Sequence, residues 1–288
     1  MAQTKELLGG QALIEGVMMK GSKAVGYAVY SPDKKLVTKA VPYTSWKMKW
    51  PILGFPIIRG FMNLIEMLVL GMRSIQYSLE INMPEEFKKQ SKYEMPLSML
   101  ISLGLSFVLF IYAPASAFTF LKPYIANTIL LNLVEGLLRI TIFVVFISLV
   151  ALTEDMRRVF GYHGAEHKTV HAYEAQEKLS VTTVKKYSVI HPRCGTSFIL
   201  VVFVMSIIVF SFLGRPDLVH RILYKVTLLP LISGISYELI RIVAKMPIGF
   251  QYALLWPGLL MQRLTTREPD DLMIKAAIAA LQETQGEV

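Results

Sequence analysis

The stretch LSMLISLGLSFVLFIYAPASAFTFL (residues 97–121) runs for 25 residues without a charge. A helix of about 20 apolar residues crosses the hydrocarbon core of a bilayer, so this stretch predicts a membrane span. Pro96 stands at a helix start and Pro114 predicts a kink in the interior. Three further runs resemble it. Residues from about Asn127 to Leu152 contain only Glu135 and Arg139, Ser197 to Gly214 is uncharged, and Ile222 to Ala244 is interrupted by Lys225, Glu238 and Arg241. Composition agrees: of 288 residues, 53% are hydrophobic and 18% charged, with a mean hydropathy of +0.47. Soluble domains carry about 25% charged residues. Disorder is excluded by the apolar content, and a disulfide scaffold by the single cysteine, Cys194.

The net charge of +9 is unevenly spread. With four spans, Lys and Arg number 13 in residues 1–96, seven in 153–196 and four in 245–288, against one in 122–126 and two in 215–221. Cytoplasmic loops collect Lys and Arg. The expected fold is therefore a mainly α membrane protein, a four-transmembrane-helix bundle with both termini cytoplasmic, plus a small cytoplasmic N-terminal part containing a β-hairpin. The N-terminal residues show no cleavage site, so no secretory leader is expected. The lysines and arginines flanking the spans, Lys88, Lys89, Lys92, Arg157 and Arg158 among them, are expected to meet anionic lipid headgroups.

Between these landmarks the chain divides into a Gly-rich and hairpin segment (1–50), an interfacial or re-entrant helix with a linker (51–96), two span pairs (97–152 and 197–244), a His-rich loop (153–196) and C-terminal helices (245–288). AVGYAVY and LVTKAV flank SPDKK and predict a hairpin over residues 24–42. Glycines 9, 10, 16 and 21 predict tight turns or a close approach to something. In residues 52–72, Arg59, Asn63 and Glu66, continued by Arg73, form one helical stripe, the pattern of a helix lying on the membrane or against a polar site. The last helix begins near Pro269 with Glu268, Asp270 and Asp271, which suit its N-terminal dipole. It is expected to dock on the rest or lie on the surface.

Chemistry concentrates in one loop. Four of the five histidines lie within FGYHGAEHKTVHAYEAQEK and SVIHPRCGTSF. His163, His167 and His171 recur every four residues, within about 80° of one helical face, and Glu174 shares that face. From His163 to Glu174 a helix rises about 16 Å, too far for all four to hold one ion. His163 and His167 with Glu166 match H-x-x-E-H, in which two histidines hold zinc and the glutamate acts on its water. His171, Glu174, His191 and Cys194 compete for the third ligand position. Zinc is the expected metal, and Glu166 the expected general base of a metal-dependent hydrolase. Glu15, in an apolar stretch, needs a partner if buried: a basic residue or the metal site. Glu135/Arg139 and Glu238/Arg241 are expected to pair locally within their spans.

GGQALIEGVMMKG (9–21), GYHGAEHKTVHAYE (161–174), HPRCGTSF (191–198) and LTTREPDD (264–271) resemble the YqhQ-like bacterial membrane proteins over most of the chain. The resemblance implies a bacterial inner-membrane location. The family's label, predicted metal-dependent enzyme, rests on the same histidine run and is not independent of it. Two other classes stay open at this point. One is a non-enzymatic accessory subunit or scaffold of a membrane assembly, such as a protein-export or envelope machine, with a protein partner or a second copy. The other is a small transporter. No Gly-rich phosphate loop or nucleic-acid motif is present.

Overall fold

The computed structural model describes residues 8–85 and 93–285. Its glycine-rich start is itself a hairpin: β1 (Gly9–Leu13) pairs antiparallel with β2 (Gly16–Lys20), across a turn in which Glu15 takes φ 53°. β3 (Ala24–Tyr30) and β4 (Leu36–Pro42) form the expected hairpin, Tyr30 opposite Leu36, and β2 pairs with β3 to give a four-stranded meander. The first hairpin was not legible as strands, because glycine is depleted in strands and breaks the alternating pattern. Here Gly16 is required. A Cβ on it would lie 2.5 Å from the Ala28 carbonyl oxygen of the neighbouring strand.

Both sheet faces are covered. Val17, Met19, Ala28 and Tyr30 meet helices on one side, while Met18, Val25, Tyr27 and Val29 meet Leu70, Tyr77 and Ile81 on the other. This explains why β3 is buried along its whole length. After β4 come α1 (Trp46–Lys49), a 3-10 turn (Pro51–Gly54) and α2 (Ile58–Asn82). The two halves of α2 do different work. Its C-terminal half lies on the sheet, where Gly71 lets Gln11 approach, and its N-terminal half crosses a later helix at Gly60.

The first apolar run forms α3 (Glu94–Phe107), a π turn (Val108–Tyr112) and α4 (Ala113–Leu121). Pro114 has no N–H to donate and crowds the preceding turn, and the helix widens just before it. α5 (Thr128–Val150) follows, its first turn capped by Asn127, then α6 (Glu154–Glu174), α7 (Val181–Val184) and α8 (Gly195–Ser211). The last elements are α9 (Leu218–Thr227), α10 (Leu229–Val243), α11 (Ile248–Thr265) and α12 (Asp271–Glu283). Among the described residues, Pro96–Leu121 and α5 are long and apolar enough to span a bilayer. α9 and α10, bent by 47°, make a third if they count as one span. α8 is apolar but has 17 residues, about 25 Å of helix, short of a core about 30 Å thick.

The charges of the apolar helices pair between helices more than within them. Glu135 accepts from Arg139 on its own helix at 2.9 Å, as expected, and also from Arg221 and Lys225 of α9. Arg221 further bonds Asn132 and lies 4.0 Å over the Phe118 ring. Glu238 does not take Arg241, its expected partner. It takes Arg59 of α2, whose Nε donates at 2.6 Å. The reason is packing: Gly60 and Gly234 bring α2 so close to α10 that a Cβ at Gly60 would meet Gly234 Cα at 2.9 Å. Glu66 bonds elsewhere, accepting from Tyr43, from Ser45 Oγ at 2.9 Å and from the Trp46 N–H at 3.0 Å. Arg73 is exposed. The stripe on α2 thus splits into two separate attachments, Arg59 and Glu66, and an exposed end at Arg73.

α12 docks, with Asp270 capping it by accepting from the Met273 N–H at 2.9 Å. It lies on the sheet and on α6, and Gly26 of β3 leaves room for the Ala280 carbonyl.

Glu135 is the one carboxylate facing three buried cations. Removing the acid of a buried pair costs about 3–5 kcal/mol because its partners stay buried and uncompensated. Glu135→Gln is expected to destabilise the protein by at least that amount, read from thermal or denaturant unfolding in lipid nanodiscs. Arg73→Gln, on an exposed position, serves as the neutral control.

Candidate metal centre

α6 carries the histidines, and Gly164 sets what it packs against. A Cβ on Gly164 would fall 2.1 Å from the Arg267 carbonyl oxygen, and the Arg267 N–H donates to the Phe160 carbonyl at 2.9 Å. The chain leaving α11 therefore runs flush along α6. This puts the Thr265 carbonyl 2.8 Å from His163 Nδ1. Val189 also lies against Gly164, and its carbonyl is 2.6 Å from His167 Nδ1.

Those two bonds fix the tautomers. A carbonyl oxygen only accepts, so each Nδ1 carries the proton and each Nε2 keeps its lone pair. Cys194 meets them. It stands at the N-cap of α8, and its Sγ lies 3.3 Å from His163 Nε2. The ligand atoms of His163, His167 and Cys194 all lie within 4.8 Å of one another. Tetrahedral zinc, with Zn–N of about 2.0–2.1 Å and Zn–S of about 2.3 Å, places its ligand atoms about 3.3–3.6 Å apart. Small side-chain adjustments bring this trio to that spacing.

Glu166 is buried beside the trio, with an oxygen 3.5 Å from His167 Nε2. Burial pushes its carboxyl above the usual range, while His163, His191 and the Gly10 N–H that donates to it draw it back in part. Gly10 must be glycine, since a Cβ there would sit 2.6 Å from Glu166 Cγ. The close approach expected of the N-terminal glycines is thus onto this glutamate. Burial also lowers His167 and His191, holding both neutral.

His171, Glu174 and His191 gather as a second set, but hydrogen bonds occupy it. His171 Nε2 donates to the Ile190 carbonyl at 3.0 Å. His191 Nδ1 accepts the Arg193 N–H at 3.2 Å, so its Nε2 bears the proton and faces Glu174 at 3.5 Å. Glu174 is also paired with Arg193. The histidine run therefore divides, as its length along the helix required, into a trio with free lone pairs and a hydrogen-bonded support. Glu15 lies outside both: it pairs with Arg158 through Nε and Nη2 and accepts from Tyr162 at 3.2 Å.

Several contributors were not foreseen. Gln262 of α11 is fully buried. It accepts the His191 N–H at 2.9 Å and donates to the His191 carbonyl at 2.8 Å and to Ser197 Oγ at 3.0 Å. Thr265 acts through its backbone, which a sequence does not advertise. Lys20 and Arg193 were not foreseen either; with Asn63, expected on the stripe against a polar site, they line a cavity of about 460 Å³ that opens on the trio and Glu166.

A mainly α-helical protein with a small antiparallel sheet, helices long and apolar enough to span a membrane, and a His-His-Cys cluster lining a cavity is what fold and site define. Residues 55–287 match the family described as Protein of unknown function (DUF1385). Uncharacterized protein YqhQ of Bacillus subtilis (strain 168) is 30% identical over 290 residues, covering 96% of this chain and 91% of that protein. No solved structure matches. The chain belongs to this YqhQ-like family.

Burial and the neighbouring His191 depress His171 to about 4; His167 and Arg193 add to this, and the Ile190 carbonyl opposes it. Unfolded, a histidine titrates near 6.5. Between these values the unfolded chain binds the extra proton, so stability is full above about pH 6.5 and falls as pH drops toward about 4. Melting temperature against pH should decline across that window, and His171→Gln should flatten part of the decline.

Proposed function

We propose that the protein is a divalent-metal-dependent hydrolase of the bacterial inner membrane, with its metal centre at the cytoplasmic face. In this proposal the run through α3 and α4, α5, α8 and the bent α9–α10 pair are four spans, and both termini are cytoplasmic. The observation that carries the function is the trio itself. Two histidines with carbonyl-fixed tautomers and one cysteine converge beside a buried glutamate, at a cavity. Structural zinc sites close with four protein ligands, whereas catalytic ones offer three and leave a position open. His163, His167 and Cys194 would hold the ion, zinc by its preference for nitrogen and sulfur donors.

The ion supplies Lewis acidity and an acidified water. Glu166 takes the proton of the attacking water and returns it to the leaving group as the scissile bond breaks. Its raised pKa suits both halves of that exchange. The Gly10 N–H holds the carboxyl in place, and Gln262 holds the loop that carries Cys194.

Metal analysis of the purified protein tests this. The native chain should carry one ion, and His163→Ala, His167→Ala and Cys194→Ser should lose it. His171→Ala should keep it, and Gln262→Ala should weaken affinity about 10–100-fold, as loss of supporting hydrogen bonds does. Glu166→Gln should retain the ion and lose about 10²–10⁴-fold in turnover. Substoichiometric metal in native and variant proteins alike overturns the proposal and favours a non-enzymatic scaffold.

A further inference from the structure

The cavity has walls of two kinds. Its polar wall comes from the sheet, α6 and the loop before α8, and holds Glu166 and the trio. Its other wall is apolar: Leu64 and Met67 of α2, Phe198 of α8 and Ile240 of α10. Phe198 and Ile240 stand near the ends of two apolar helices, so this wall is built by the ends of segments read as membrane-embedded. A water-soluble polar substrate would leave that wall unsatisfied. An apolar chain would fill it.

The charge in the cavity points the same way. Lys20 stands on the rim with its ammonium 4.7 Å from the Tyr43 ring centroid. Among the described residues no carboxylate lies within ion-pair distance of it. Arg193, also on the rim, is already matched by Glu174. Lys20 thus has no direct ion pair, only the longer-range field of Glu66 through the Tyr43 side, and can meet an anionic group on the ligand.

We propose that the cavity takes a single-chain anionic amphiphile. Its chain lies against α2, α8 and α10, its hydrolysable group meets the trio and Glu166, and its negative charge lies at Lys20. The proposal rests on the metal reading above and adds the substrate class. Whether the anion is a phosphate or a carboxylate of a lipid, or a free anion, is separated by the chain.

The test uses the full-length protein in nanodiscs, substituted with cobalt, whose visible spectrum reports the ligands directly. Alkyl hydroxamates of increasing length, from acetohydroxamate to laurohydroxamate, are titrated against it. Affinity should rise about fourfold per methylene, equivalent to about 0.8 kcal/mol per buried CH₂, until the chain fills the cavity. Leu64→Trp and Met67→Trp should flatten the series while leaving the cobalt spectrum and acetohydroxamate binding intact. Dodecyl phosphate should displace laurohydroxamate and dodecyltrimethylammonium should not. Inorganic phosphate alone should compete weakly, and Lys20→Gln should weaken dodecyl phosphate more than tenfold. A flat chain-length series on a protein with an intact cobalt spectrum overturns the amphiphile and leaves the metal centre standing. Equal displacement by the cationic and anionic detergents overturns the role of Lys20 and the anionic class. Failure to bind cobalt overturns both proposals together.

Discussion

Two backbone carbonyls, those of Thr265 and Val189, determine what the histidine helix can do. Imidazole rings on a buried helix face must place a proton somewhere, and a neutral ring has one donor and one acceptor. By taking the Nδ1 protons, these carbonyls turn the Nε2 lone pairs of His163 and His167 toward Cys194. The same logic acts in reverse one turn on. There, donation from His171 to Ile190 and from the Arg193 N–H to His191 uses the free lone pair or reverses the tautomer. Both sets contain similar residues, but in the second His191 Nδ1 and Glu174 are already engaged by Arg193, whereas the first turns two Nε2 lone pairs toward one cysteine.

The carbonyls are available because the chain comes close, and it does so at glycines. Gly164 admits the segment after α11, Gly10 admits Glu166, and Gly60 with Gly234 seats α2 against α10. Each contact is backbone against backbone or side chain, at distances a methyl group would forbid. The cluster is thus set by close packing between distant segments, and the apolar helices beneath it form one wall of its cavity.

Much of this was legible in residue order. Long charge-free runs announce apolar helices, because a helix in lipid has no water for its backbone or its charges. The spacing of His163, His167 and His171 announced a helix face, and its rise announced that no single ion could hold the whole run. Periodicity says nothing of partners far along the chain, however. Glu238 was assigned to Arg241 because they share a helix, but Arg59, 179 residues away, takes it. Glu135 gained two cations from α9 for the same reason. Gln262 and Thr265 matter through where their backbone or amide falls, and only the fold decides that. The β1–β2 hairpin hid behind its glycines, which read as turns and proved to be both turns and contacts.

Glu166 takes a hydrogen bond from Gly10, near the start of the chain, and His163 gives one to the Thr265 carbonyl, 102 residues after it. During synthesis α6 emerges before Thr265 exists. Until the last segment is made, inserted and folded back, His163 has no carbonyl to fix its tautomer and Cys194 lacks the Gln262 brace. The centre is therefore completed late, by non-local contacts whose closure is the slow kind. A half-made chain carries the side chains of the trio but not their geometry.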